Sequence, residues 1–147
     1  MSGIIGSKAR SSGVVGNINL FDKILQRPLI KDYAEDVYTI ASPQTAGFNF
    51  DLTNGNVQIA TNGANAKNAG ITNSLASECV SLTVLMTNGG LAAISWVAGA
   101  HGGGGNAVKW AGGSAPTLTA SGVDVLTFIT FDGGTNFYGF SGGLEFS

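Results

Sequence analysis

From Asp124 to Phe131 the chain reads DVLTFITF, Asp132-Gly133-Gly134 interrupts it, and TNFYGF follows at Thr135–Phe140. Two β-prone runs joined by an Asp-Gly turn constrain the fold more than any other feature. The β-branched and aromatic side chains suit a pleated surface, and glycine accepts the positive φ of a tight hairpin turn. The spacing predicts a terminal hairpin carrying Phe128, Phe131, Phe137, Tyr138 and Phe140. These five form a candidate oligomer interface, because aromatics not used within one protomer can pack against another. DVLTFITF is apolar on both faces, and an antiparallel strand of that kind needs cover on both sides. A second protomer or the amino-terminal arm is expected to supply it.

The same punctuation runs upstream. Ala34–Ile40 alternates as a strand, and Ser42-Pro43-Gln44 is a turn. Gly47–Thr53 places Phe48, Phe50 and Leu52 on one face, the period of a half-buried strand. Asn54-Gly55 reads as a hairpin turn, after which Asn56–Thr61 returns with Val57 and Ile59 inward. Residues 62–78, rich in Asn, Ala and Gly, read as a loop with a short helical turn. Val80, Leu82, Val84 and Met86 then alternate with Ser81, Thr83, Leu85 and Thr87. Asn88-Gly89-Gly90 turns the chain into Leu91–Ala98, which carries Trp96. A Gly-rich flexible tip, Gly99–Asn106, precedes Ala107–Ala111 and a loop through Ser121. No internal repeat stands out. Short strands with regular turns predict an all-β fold: an antiparallel β-sandwich, jelly-roll-like, over residues 32–147. Residues 1–31 form an extended amino-terminal arm or strap.

Charge refines this. Of the 147 residues, 44% are hydrophobic and only 11% charged, against about a quarter in an average soluble domain. So little charge implies surface hidden in an assembly, a homo-oligomer with a trimer as first choice. Residues 1–31 carry Lys8, Arg10, Lys23, Arg27 and Lys31 against Asp22, whereas the remainder carries Lys67 and Lys109 against eight acids. A basic arm on an acidic body suggests docking on something acidic. The cations are too scattered for a phosphate footprint, so the expected partner is a protein surface and no nucleic acid. Within the arm, Ile4-Ile5 and Val14-Val15 are apolar anchors between glycines, with Lys8 and Arg10 as charged contacts. Such a segment cannot bury enough apolar surface to order itself alone. In residues 17–31, Leu20, Ile24 and Leu25 share one face of a short helical turn that Pro28 ends.

Cys79 is the lone cysteine, and beside Val80–Met86 it reads as a buried, inert thiol. Assembly in a reducing host cytoplasm is expected. The amino-terminal residues lack an apolar stretch of secretory length. Cys79–Val108 carries no formal charge, but Thr87-Asn88-Gly89-Gly90 breaks it, so no membrane span is expected.

Two motifs look like those of esterases. His101–Gly105 matches an HGGG oxyanion loop, and Gly139-Phe140-Ser141-Gly142-Gly143 matches a nucleophile elbow. The chemistry does not close: four residues follow Gly143, and the single histidine already belongs to the HGGG match. Catalytic residues are therefore not assigned and the chain is read as a non-enzyme. One His and one Cys do not make a tetrahedral metal set, and neither Asp51–Asn56 nor Asp132–Asn136 fits an EF-hand loop. No metal or cofactor is expected. HGGGGN lacks the Lys-Ser/Thr pair of a phosphate loop. Trp96, Trp110, Phe137, Tyr138 and Phe140 suggest a sugar-stacking face, although core or subunit interface is the simpler reading.

WAGGSAPTLT (Trp110–Thr119) and GVDVLTFITFDGGTNFYG (Gly122–Gly139) resemble the carboxy-terminal β-domains of tailed-phage virion proteins: tail fibres, head fibres and capsid decoration proteins. The MSG…SGVVG start is similar to those of small phage structural proteins. The resemblance implies a non-enzymatic virion protein, held on the particle by its arm and oligomerising through its β-domain. A length without a shaft favours a decoration, cement or adaptor protein. The alternative is a receptor- or carbohydrate-binding module at a fibre tip.

Overall fold

The computed structural model of the chain describes residues 33–41 and 43–146, and everything below lies within Ala34–Ser147, which forms one unit. The six arm residues Ile4, Ile5, Lys8, Arg10, Val14 and Val15 lie outside the described residues. So does the helical turn expected at 17–31.

Nine strands follow in chain order: β1 (Val37–Thr39), β2 (Phe48–Asp51), β3 (Val57–Thr61), β4 (Lys67–Thr72), β5 (Val80–Thr87), β6 (Ile94–Ala98), β7 (Lys109–Trp110), β8 (Val123–Thr130) and β9 (Tyr138–Phe146). The fold is all-β, with only three short 3-10 turns among the described residues. Two sheets form. One has six strands in the order β1-β3-β5-β8-β9-β7, the other three in the order β2-β4-β6.

The pairing is mixed. β1, β3 and β5 run parallel, as do β2, β4 and β6. The chain crosses from one sheet to the other at each step, building three stacked rungs: β1 with β2, β3 with β4, β5 with β6. Only then does it turn back on itself, with β8 antiparallel to both β5 and β9. The antiparallel, jelly-roll-like sandwich expected from the turns is thus met as far as its all-β class and its terminal hairpin. The strand order and the parallel pairs differ from it.

The difference arises at the corners. Asn54-Gly55 does not close a hairpin, because Gly55 adopts φ 118°, ψ 166°, far from the values of a two-residue hairpin turn. Gln58 points inward there and donates through Nε2 to the carbonyls of Asp51 (2.7 Å) and Gly55 (2.8 Å), tying the corner to the strand. The inward face of β3 is therefore Gln58 and Ala60, and Val57 and Ile59 lie half-buried on the opposite face, the reverse of the expected pattern. At Asn88 a left-handed residue leads into a 3-10 turn over Gly89–Leu91, which sends β6 into the other sheet. Residues 62–78, expected to be a loop, contain β4.

The core lies between the two sheets. Phe48, Phe50, Ala69, Ile71, Trp96 and Ala98 come from the smaller sheet and Ala60, Leu82, Val84, Met86, Leu126 and Phe128 from the larger. Aromatic rings link them: Phe50 stacks on Trp96 at 5.9 Å, and Trp96 meets Phe128 at 5.1 Å across the sheets. Val57 pairs with Val37, twenty residues earlier, and with Thr83, 26 residues later. Rungs of unequal length stack without leaving an internal repeat in the sequence.

Candidate interaction surface

Among the described residues, the terminal hairpin gathers one group of exposed large apolar side chains. Its turn is closed by hydrogen bonds to Asp132. Asn136 donates to it twice, backbone N to Oδ1 (2.9 Å) and side-chain Nδ2 to Oδ2 (2.7 Å). Thr130 Oγ1 donates to Oδ1 (3.0 Å) and accepts from Gly134 N (2.9 Å). The Asn136 side chain, followed by its backbone N–H, holds the Asp132 carboxyl below the usual carboxylate range. Gly133 and Gly134 take φ of 69° and 87°, and a Cβ on Gly133 would come within 2.9 Å of Ser77 N. That space and that backbone angle both require glycine.

This turn sets the register in which Leu126 faces Ser141, Thr127 faces Phe140 and Ile129 faces Tyr138. Strand β8 then sorts cleanly. Asp124, Leu126, Phe128 and Thr130 are buried, and Val123, Val125, Thr127 and Ile129 are half-buried on the outer face. Asp124 enters the interior fully hydrogen-bonded: it accepts from Thr119 N and Oγ1, both at 2.7 Å, and from Glu145 N at 3.1 Å.

The five aromatics proposed as an oligomer interface divide the same way. Phe128 and Phe137 are 0% exposed and belong to the core of this chain, so they are not available to a partner. The period-2 alternation of β8 turns Phe128 inward, and Phe137 enters the core just before β9 begins. Phe131, Tyr138 and Phe140 are 63%, 38% and 44% exposed. Phe131 and Tyr138 meet at 6.2 Å between ring centroids, and Lys109 Nζ lies 5.5 Å above the Tyr138 ring. The sugar-stacking set is divided as well. Trp96 is buried, and Trp110 packs over Gly139, where a Cβ would fall 2.7 Å from its ring.

The outward side chains of β3, β5 and β8, beside the hairpin, carry no charge. Across the large sheet, one row runs Val37, Val57, Thr83, Thr127, Phe140, and a second runs Thr39, Ile59, Leu85, Val125, Gly143. A third row holds Ser81, Ile129, Tyr138 and, at the edge, Lys109. Lys109 is the one charged side chain in these rows.

The other residues singled out by sequence are placed as follows. His101 N donates to Asn49 Oδ1 (2.8 Å), its Nδ1 lies 3.2 Å from the same oxygen, and Asn68 Nδ2 donates to His101 O (3.1 Å). The Gly-rich tip is thus pinned at its start by two rung asparagines. Ser141 lies within β9, opposite Leu126, and not at a strand–helix elbow. Cys79 is exposed, a correction to the buried thiol; it precedes β5 and lines a cleft of about 350 Å³ with Leu52, Thr53, Asn73 and Leu75. Asp51 is kept below the usual carboxylate range chiefly by the Thr53 hydroxyl, then by the Asn73 amide, which donate to its Oδ1 at 2.7 and 2.8 Å. Among the described residues no cluster of three or more His, Cys, Asp or Glu is placed to hold a metal ion, and no helix is long and apolar enough to cross a membrane.

Sequence reasoning missed one buried cation. Lys67 opens β4 and is buried, with Nζ donating to Asn62 Oδ1 (2.6 Å) and Gly63 O (3.0 Å). Asn62 in turn donates to the carbonyls of Gly89 (2.8 Å) and Ala92 (2.9 Å). Burial pushes the Lys67 ammonium below its ordinary pKa. Nothing in KNAGIT marks it, because a lysine among small residues reads as surface.

No family model, curated protein or solved structure matches this chain.

Proposed function

We propose that this chain is a non-enzymatic structural protein of a tailed-phage particle. Residues 1–31 attach it to neighbouring capsid or tail subunits, and the two-sheet body associates with further copies of itself, with a trimer expected. It would assemble in the host cytoplasm and reside in the virion as a decoration, cement or adaptor protein. The observation that carries this reading is the aromatic-edged outer face of the large sheet, without charge on β3, β5 and β8, with Phe131, Tyr138 and Phe140 exposed beside rows of Val, Ile, Thr and Ser. Exposed aromatic side chains gathered on one face favour an interaction site. Support also comes from the resemblance of Gly122–Gly139 to phage virion β-domains, and from the basic arm on an acidic body. Nucleic acid is not needed as a partner on this reading.

Particles assembled with a chain lacking residues 1–16 test the attachment. The truncated protein is expected to fold and to be missing from purified particles; normal incorporation would overturn the role of the arm. Light scattering of the full chain tests the association, and a stable monomer at micromolar concentration would defeat it.

A further inference from the structure

We infer that Lys67 and Asn62 are the precursor of an internal isopeptide cross-link, closed between Lys67 Nζ and Asn62 Cγ with loss of ammonia.

Three observations lead here. The first is the approach of the two groups. Lys67 Nζ lies 2.6 Å from Asn62 Oδ1. The carbonyl bond adds about 1.23 Å, so Cγ is at most about 3.8 Å from the amine nitrogen. Reacting atoms in a near-attack arrangement stand about 3–3.5 Å apart, so little movement separates the pair from it. A second bond, to Gly63 O at 3.0 Å, holds the lysine end in place.

The second is seclusion. Lys67 is 8% exposed and Asn62 1%. Water is largely kept from the carboxamide, and an amine held against it has the advantage of an intramolecular nucleophile. Burial also disfavours the ammonium, which raises the share of neutral amine, and no carboxylate opposes this.

The third is how the carboxamide is held. Asn62 Nδ2 donates to the carbonyls of Gly89 (2.8 Å) and Ala92 (2.9 Å). Their negative ends favour positive charge gathering on that nitrogen as it leaves. The backbone N of Gly63, which could close a succinimide on the same carbon, is tied instead to Gln44 O at 2.8 Å.

The step balances without a co-reactant. Nζ gives its lone pair to Cγ, the carbonyl pair moves to Oδ1, and the tetrahedral centre collapses by breaking the Cγ–Nδ2 bond. One proton passes from Nζ to Nδ2. An amine and a primary amide become a secondary amide and ammonia, and nothing is oxidised or reduced. Starting from the ammonium, the extra proton leaves with the ammonia. With no carboxylate to relay the proton the step is slow, so freshly made chains carry the free pair and the link accumulates with age. Asn62 directly follows β3 and Lys67 opens β4. The link therefore bolts the large sheet to the small one at a corner between rungs.

Tryptic mass spectrometry of the full chain, before and after prolonged incubation at alkaline pH, tests this. Lys31, Lys67 and Lys109 are successive cleavage sites. The unlinked chain yields fragments 32–67 and 68–109. An acylated lysine is not cleaved, so the linked chain yields one fragment, 32–109, lighter by one ammonia. That fragment is expected to grow with time in the folded parent, and to be absent from parent incubated in denaturant and from Lys67→Arg. Complete cleavage after Lys67 in the folded parent would overturn the inference, whether fragment 32–67 is intact or has itself lost ammonia through a succinimide. Equal linkage in denaturant would overturn the part played by the fold. If Lys67→Arg does not fold, the folded parent and its denatured control decide.

Discussion

The three parallel rungs and the terminal hairpin are built from the same kinds of residue but hold together differently. In the rungs, each strand meets partners 20 to 27 positions away, and no turn fixes the register. Buried side chains do that work: the Phe48, Phe50 and Trp96 rings, and polar ties such as Gln58 at one corner and Asn62 at another. In the hairpin, one Asp132 carboxylate and two glycines set the register locally, and β8 reaches β5 and β9 at once. The hairpin's inner face belongs to the core, and its outer face is half-buried on β8 and exposed at Tyr138 and Phe140. Core and surface sides are thus separated by one strand's alternation, so substitutions on the two faces of β8 and β9 should have effects of different kinds.

The largest expected effect tests that separation. Phe128→Ala removes a fully buried ring that meets both Trp96 and Trp110. A loss of about 3–5 kcal/mol is expected in denaturant unfolding. Phe140→Ala, on the outer face of the paired strand, is expected to change stability by under about 0.5 kcal/mol per protomer. Comparable losses at both positions would break the distinction between the faces.

Next in size is the rung corner at Asn62. Asn62→Ala removes the amide that donates to Gly89 and Ala92 and the oxygen that accepts Lys67 Nζ. Two carbonyls and a buried ammonium lose partners, and about 2–4 kcal/mol of destabilisation is expected, since each stranded group costs about 1–3 kcal/mol. Hydrogen exchange should show the loss spreading through β3, β4 and the Gly89–Leu91 turn while the hairpin opens less. A uniform change would mean that the two regions unfold as one.

The legibility of the sequence follows the same division. The hairpin could be read because its partners are neighbours in the chain and its turn has its own chemistry. Except for β4, the strands of the rungs are legible too, β2 and β5 with the correct inward residues, since period-2 alternation depends only on one face being buried. Their partners are not, because alternation says nothing about which sheet a strand joins. Asn54-Gly55 and Asn88-Gly89-Gly90 look like hairpin turns although the chain crosses between sheets at both. β4 escaped notice because Gly70 occupies a site where a Cβ would strike Asn49 Oδ1 and Gly99 O, so the strand needs small residues and shows no hydrophobic alternation. At the candidate surface, aromatic content was visible, but the inward placement of Phe128 and Phe137 depends on register.

Smaller again is the contrast between two glycines. Gly133 has φ 69° and close neighbours in Ser77 N and Ala76 Cα, whereas a Cβ on Gly103 would meet nothing nearer than 3.5 Å. Gly133→Val forces a β-branched residue into the left-handed region and is expected to cost about 1–3 kcal/mol. Gly103→Val should fall within about 0.5 kcal/mol of the parent. Equal melting temperatures for the two variants would show that the turn does not organise the hairpin.

The smallest effect separates the regions by pH. In the hairpin, Asp132 has its pKa lowered on folding by the Asn136 side chain and backbone. The stability it contributes is present above the unfolded carboxylate value and is lost as pH falls through the folded one. In the rungs, Lys67 has its pKa lowered from 10.5 by burial, the opposite case. Between its depressed folded value and 10.5 the unfolded chain binds more protons than the native one, so the penalty for burying the ammonium is relieved as pH rises through that window. The measurement is a difference, so that contributions shared by parent and variant cancel. Denaturant unfolding of the parent and of Lys67→Met is compared at pH 7 and at pH 9.5. The parent should gain stability relative to the variant at the higher pH, even if Lys67→Met is the less stable protein at both because Asn62 Oδ1 and Gly63 O lose their donor. A stability difference that does not change with pH would mean that Lys67 keeps its ordinary proton affinity in the fold, and that the Asn62–Gly63 cage holds the ammonium without penalty.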